Sequence, residues 1–419
     1  MPATSFVFGY RPSTKSERIY RHWYEVGYHR PQDDLDQPID WKEAADFNAF
    51  FYALVDRVTD GDKGRNGSRG ASSNYNKERD MRLGLASVAA VALLAGRAAA
   101  TDYKATPIMG IAGPEDLELL PDGQTLVVGQ FRRPPVPGGL SLLDTSTGTS
   151  LPLPITDSPA AGWGEPGCTA PKHIGAHGIH LSKRSDGRWQ LLAVNHEDRE
   201  SLEFLELVGS GRATRAIWHG CVISSDGAYN DVAATPDGGF VATIPTDAKV
   251  FAANGGKAPM DGKSDTGYLV AWRPGKGQVR LPGSDAPYNN GIQLSPDGKV
   301  AFFNAWTAKE VRRYDIAAGK VTGTIRLAFR PDNLTWSRDG TLVAAGTDEA
   351  SGGASCPQID GMCALGFGIA RIDLKTFRAT PVYTAPAGVM VGVSVAIEVG
   401  RDFYVGGFSG NRIVKLTPQ

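Results

Sequence analysis

From residue 101 onward the chain alternates short apolar runs with polar turns, and one phrase keeps returning. Pro121-Asp122-Gly123 precedes Thr125-Leu126-Val127-Val128, and Ser185-Asp186-Gly187 precedes Leu191-Leu192-Ala193-Val194. Pro236-Asp237-Gly238, Pro296-Asp297-Gly298, Arg338-Asp339-Gly340 and Arg401-Asp402 each lead into a similar run. Asp-Gly between apolar stretches is the chemistry of a tight hairpin turn. The turn aspartates are 64, 51, 60, 42 and 63 residues apart, spacings that suit a four-stranded blade with variable loops. Further strands are expected at Leu140 to Leu143, Leu202 to Leu207, Tyr268 to Trp272, Val311 to Tyr314, Gly368 to Ile372 and Arg412 to Leu416. Six such units predict an all-β, six-bladed propeller over residues 101–419, with a β-sandwich as the competing architecture.

Residues 81–100 read differently. A basic start at Met81-Arg82, an apolar run through Leu94 and Ala98-Ala99-Ala100 before Thr101 form the pattern of a secretory signal peptide, too short to span a bilayer comfortably. The expected product is therefore secreted or periplasmic, without a membrane span. Residues 1–80 read as an N-terminal extension: either the product of a start assigned too far upstream, or a module with helical spacing from Trp41 to Val58 and a charged Gly/Ser/Asn linker after it.

With 51 Gly and 27 Pro in 419 residues the chain is turn-rich, and a formal charge of -1 gives no case for a nucleic-acid partner. Its cysteines are Cys168, Cys221, Cys356 and Cys363, all beyond the signal. An exported chain with an even count suggests disulfides, with Cys356–Cys363 as a local staple and Cys168–Cys221 as the other pair. No CxxC pair occurs, which argues against zinc.

In a propeller the innermost strands begin near the axis, so residues just ahead of them converge. About seven residues before the turn aspartate the chain reads Glu115-Asp116-Leu117, Asn230-Asp231-Val232, Asn290-Gly291-Ile292 and Asp332-Asn333-Leu334. Glu115, Asn230, Asn290, Asp332 and Asn333 are thus expected to form an all-oxygen ring, which suits Ca²⁺ better than zinc or copper. Their mixed charge leaves a net positive ion, able to polarise a substrate carbonyl. The second unit carries Ala176-His177-Gly178-Ile179 in the same place, with His196 at the other end of its hairpin. Gly178 is expected to allow a backbone shape that other residues resist.

These phrases, with Val194-Asn195-His196, resemble the paraoxonase/arylesterase family, within the wider group of SMP-30, gluconolactonase and strictosidine-synthase-like calcium propellers. The resemblance implies two calcium ions: a catalytic one held by Glu115, Asn230, Asn290, Asp332 and Asn333, and a structural one held by Asp116, Asp231 and the carbonyl of Ile179. It also implies a catalytic pair, His177 and His196, that activates water to hydrolyse a small-molecule ester or lactone. His173, His180 and His219 match no motif. Animal members of the family tie the propeller's ends with a disulfide, whereas here no cysteine lies near Thr101 or Gln419, so closure is expected to rest on strand pairing or another bridge. The loops Arg132 to Gly139 and Ala350 to Leu365 have no counterpart. The expected activity is a calcium-dependent lactonase or arylesterase. The alternatives are a sugar lactonase of the gluconolactonase kind and a calcium-stapled propeller that only binds partners.

Overall fold

The computed structural model describes residues 102–131, 136–351 and 356–419. The expectations for residues 1–80 and for the signal at 81–100 lie outside them, as does part of each of the two loops without a counterpart. Among the described residues no helix is long and apolar enough to cross a membrane.

The strands form six sheets of four or five strands each, with a separate two-stranded hairpin at Gln358–Ile359 and Met362–Cys363. Blade 1 runs Pro114–Leu119, Thr125–Gln130, Gly139–Asp144 and Thr149–Pro152 from the axis outward. Blade 2 runs Ala176–Lys183, Trp189–Asn195, Ser201–Val208 and Arg215–Ile223, with Ile155–Asp157 added in parallel at its outer edge. Blades 3, 4 and 5 begin at Val232–Ala234, Asn289–Leu294 and Arg330–Trp336. Blade 6 comprises Val393–Val399, Asp402–Gly407 and Arg412–Pro418, and its outermost strand is Tyr103–Met109 from the other end of the chain. Each innermost strand contacts those of its two neighbours, and blade 6 returns to blade 1. That closed ring excludes the sandwich.

The local chemistry accounts for the blades. Each repeated turn joins the first two strands of a blade, as at Gly123 and Gly298, whose φ values of 71° and 68° favour glycine. The turn aspartate fixes the bend: Asp122 accepts from the backbone N–H groups of Gln124 (2.9 Å) and Thr125 (2.8 Å). Apolar residues then alternate off each sheet and meet those of the next blade. Phe204 of blade 2, for example, packs edge-on to Trp272 of blade 3, which stacks on Phe240. An apolar cluster of this kind fills each interface between neighbouring blades. The hydrophobic core is therefore a wheel of six wedges, which leaves the axis free for polar side chains.

Closure of the ring is by strand pairing, from Tyr103 opposite Pro418 to Met109 opposite Arg412. The disulfides are Cys168–Cys221, which ties the loop ahead of blade 2 to that blade's strand Arg215–Ile223, and Cys356–Cys363, next to the small hairpin. Both pairings match the sequence expectation. Their separations of 53 and 7 residues predict unequal contributions from loop-closure entropy. In urea denaturation the C168S/C221S double variant is expected to lose roughly 4 kcal/mol and C356S/C363S roughly 2 kcal/mol. Equal losses would contradict the entropic account.

Candidate metal centre

At the start of five innermost strands the pairing register slips: between Pro114 and Asp116, Ala176 and Ile179, Asn289 and Ile292, Pro331 and Leu334, and Val393 and Val395. A bulge sets two residues against one and breaks the strict alternation of a strand. Consecutive polar residues such as Glu115-Asp116 and Asp332-Asn333 are thereby all buried at the hub.

Gly178 sits in one of these bulges for a reason other than the one expected. Its φ is not in the left-handed region. Instead, a Cβ there would fall 2.3 Å from Oδ1 of Asp231 and 2.8 Å from the carbonyl oxygen of Asn230. Gly291 stands in the same relation to Asp332 and Asn333 of the next blade. Glycine is needed here for close approach between blades.

Hydrogen bonds join these residues in three groups around the hub. The amide nitrogen of Asn333 donates to Oε1 of Glu115 (2.9 Å) and to its carbonyl oxygen (3.2 Å), which also accepts from the Ser394 hydroxyl (2.5 Å). Asn290 bonds the Asp332 carboxylate, and the amide nitrogen of Asn304 donates to the Asp332 carbonyl at 2.6 Å. The amide nitrogen of Asn230 faces Nε2 of His177 at 3.3 Å. Side chains from all six blades take part.

What these bonds leave over is more telling. Oε2 of Glu115 and the Oδ1 atoms of Asn230, Asn290, Asn333 and Asn304 are buried and have no hydrogen-bond partner. A buried acceptor left in that state costs on the order of 1 to 3 kcal/mol. Among the described residues no Lys or Arg forms an ion pair with Glu115, Asp116, Asp231 or Asp332. Burial first, and then the charges of Asp116, Asp332 and Asp231, push the Glu115 carboxyl well above its usual range. Burial likewise lifts Asp332 to about 8 and Asp116 to about 7, and raises Asp231. Acceptor oxygens without donors, beside carboxylates without a counter-charge, fit a hard cation. No three His, Cys, Asp or Glu side chains among the described residues are arranged to hold a metal by themselves, so the donor set depends on amide oxygens.

Asp116 and Asp231, the pair expected around a second ion, share one arrangement. Asp116 accepts from the N–H of Leu117 at 2.9 Å and, across the blade boundary, from that of Ile179 at 2.8 Å. Asp231 accepts from Val232 and, across the next boundary but one, from Ile292, both at 2.7 Å. Each carboxylate thus links its own innermost strand to that of the following blade. Two residues along the same strand, the partly exposed Glu118 lies 3.6 Å from Nδ1 of His180.

His177 and His196 come from opposite ends of their hairpin, and antiparallel pairing brings them together, with Nδ1 of His177 2.9 Å from Nε2 of His196. Nε2 of His177 lies 3.7 Å from Oε1 of Glu115, which puts the pair against the ring. Phe131 packs on the His177 ring at 4.5 Å. Burial, and then the neighbouring His196, hold the His177 pKa well below the usual imidazole value. On the far side, Nδ1 of His196 bonds Oε2 of Glu200 at 2.5 Å. Of the other histidines among the described residues, the backbone N–H of His173 donates to Asp198, His219 bonds Glu206 and the Ser158 carbonyl, and burial lowers His180 to about 4.

Sequence reasoning missed Ser394, Asn304 and Glu200. Asn304 was visible as an amide ending the apolar run Val300-Ala301-Phe302-Phe303. Ser394 opens the one unit that lacks an amide, carboxylate or imidazole in that place, and Glu200 is one of several acidic residues after His196, so neither stood out.

Residues 209–364, which take in blades 3 and 4 and parts of blades 2 and 5, match the SMP-30/Gluconolactonase/LRE-like region. No curated protein matches the chain. Among solved structures, a gluconolactonase from Xanthomonas campestris is 16% identical, with 77% of this chain and 92% of that one covered and a TM-score of 0.46. A luciferin-regenerating enzyme is 15% identical, covering 75% and 95% at a TM-score of 0.45. Regucalcin, a calcium-binding protein from Agrobacterium tumefaciens, is 13% identical, covering 76% and 96% at a TM-score of 0.43. Similarity this low carries nothing about activity, and the six-bladed ring rests on the sheet order of this chain. The chain is thus an all-β, six-bladed propeller whose middle portion matches the SMP-30/Gluconolactonase/LRE-like region.

Proposed function

We propose that the protein is a calcium-dependent hydrolase of carboxylic esters, with lactones as its principal substrates. The observation that carries this reading is the set of buried, partnerless oxygens on Glu115, Asn230, Asn290 and Asn333, contributed by four blades and adjoining a histidine pair. With Asp332 they would hold Ca²⁺. A second ion at Asp116, Asp231 and the Ile179 carbonyl would neutralise the charge below. The bound cation would draw electron density from a substrate carbonyl oxygen. The chain's own contribution is His177, kept neutral by burial, whose Nε2 would take a proton from water in exchange for its 3.3 Å hydrogen bond from the Asn230 amide nitrogen, with Phe131 covering its ring.

The match over residues 209–364 favours a second reading, a sugar lactonase of the gluconolactonase kind. A panel of aldonolactones, aliphatic lactones and aryl esters separates the two. A non-catalytic, calcium-stapled propeller would leave every substrate of that panel intact. The two disulfides support an exported protein that folds in an oxidising compartment. Intact-mass measurement of the native product decides whether it begins near Thr101.

Chelation is expected to abolish lactone hydrolysis and calcium to restore it; full turnover in EDTA would refute the proposal. His177→Gln is expected to lower kcat on the order of a hundredfold while the calcium-dependent rise in melting temperature persists. An unchanged rate removes that histidine from the mechanism. The carboxylates predict a pH signature as well. Asp332 holds its proton up to about pH 8 when folded, against an ordinary value of 3.8, so without metal its contribution is fully present below about pH 4 and is lost as pH rises towards 8. Melting temperatures of EDTA-treated protein are expected to fall between pH 5 and pH 8, and saturating calcium to remove that fall. A flat profile in EDTA would mean that the hub carboxylates carry no unbalanced charge.

A further inference from the structure

Glu200 lies outside the ring, about half exposed, yet it ends an unbroken line of hydrogen bonds that reaches the hub. The line runs from Oε2 of Glu200 to Nδ1 of His196 (2.5 Å), from Nε2 of His196 to Nδ1 of His177 (2.9 Å), and from Nε2 of His177 to the amide nitrogen of Asn230 (3.3 Å).

Each link has only one donor, so the direction of donation at one end fixes it at the other. An ionised carboxylate only accepts. His196 must therefore carry its proton on Nδ1 and present Nε2 as an acceptor. His177 then donates from its own Nδ1 and presents Nε2, which accepts from the amide nitrogen of Asn230. That leaves Oδ1 of Asn230 turned away from the histidine, and it is this atom that is buried without a partner.

We infer that Glu200 is a positioning residue that, acting through the tautomers of His196 and His177, makes Asn230 present oxygen rather than nitrogen to the hub. The inference rests on the reading of the hub as a cation site. Were the line reversed, Nε2–H of His177 would demand an acceptor. It would take Oδ1 of Asn230 or Oε1 of Glu115, the latter 3.7 Å away, and either choice removes an oxygen from the ring. Only a residue at the surface end can set the direction without touching the ion, and Glu200 occupies that place. The acidic neighbours Glu197 and Asp198 are engaged elsewhere, with the N–H groups of Gly138 and of Lys172 and His173.

The test compares the mature protein with E200Q, which keeps an acceptor, and E200K, which offers only donors. Imidazole nitrogen NMR of metal-free protein reads the tautomers, and calorimetric titration with calcium chloride reads the affinity. Wild type and E200Q are expected to carry both imidazole protons on Nδ1. E200K is expected to move both to Nε2 and to weaken calcium binding by about ten- to a hundredfold, with an unchanged midpoint in urea. Unchanged tautomers in E200K would overturn the inference, as would reversed tautomers with full calcium affinity. If even the wild type binds no calcium, the hydrolase reading and the link to the cation fall together, while the NMR comparison still decides whether Glu200 directs the histidines.

Discussion

Four carboxylates, on Glu115, Asp116, Asp231 and Asp332, are buried in the hub of this propeller with no lysine or arginine among the described residues to balance them. Charge buried in this way must be neutralised by protons or by a cation. In the absence of metal, burial favours the protonated forms and shifts all four groups upward. The amide oxygens tip the balance the other way, because a proton on a carboxylate does nothing for the bare Oδ1 atoms of Asn230, Asn290 and Asn333. A cation answers both demands at once.

The architecture makes such a hub possible. Apolar side chains are used between the blades, so the axis carries no hydrophobic burden. Asp116 and Asp231 then do for the axis what the apolar wedges do for the periphery. Each accepts one N–H from its own blade and one from the next, at Ile179 and Ile292. Blade-to-blade coupling and site assembly thus share the same strand starts. A change in blade packing would be felt directly by the ring.

The bulges connect sequence to chemistry. A regular strand would bury alternate residues only, and either Glu115 or Asp116 would turn away. The slip between Pro114 and Asp116 buries both, one directed to the ring and the other to the neighbouring blade. Glycine at 178 and 291 then lets the backbone of the adjoining blade, at Asn230-Asp231 and at Asp332-Asn333, come close. Histidines, amides and carboxylates are brought together by three local devices repeated around a circle: an Asp-Gly turn, a bulge and a small residue.

Much of this was legible in the chain because it is local and repeated. An Asp-Gly turn acts on the four residues around it wherever it occurs, so five copies, with Arg401-Asp402 in the sixth unit, specified six hairpins and, with them, the blades. The polar positions ahead of each inner strand recur in register, which put Glu115, Asn230, Asn290, Asp332 and Asn333 on one expected ring before any contact was known. The disulfide pairing was legible too, since one pair was close in sequence and left only one partner for the other. The tertiary structure alone decided the rest. That Asn333 directs nitrogen to Glu115, 218 residues away, and oxygen elsewhere, that Ser394 completes the ring from 279 residues away, and that Gly178 is small for the sake of Asp231 are facts about neighbours. Side chains choose their partners across space, and a linear pattern records which groups are available but not which atoms they turn toward each other.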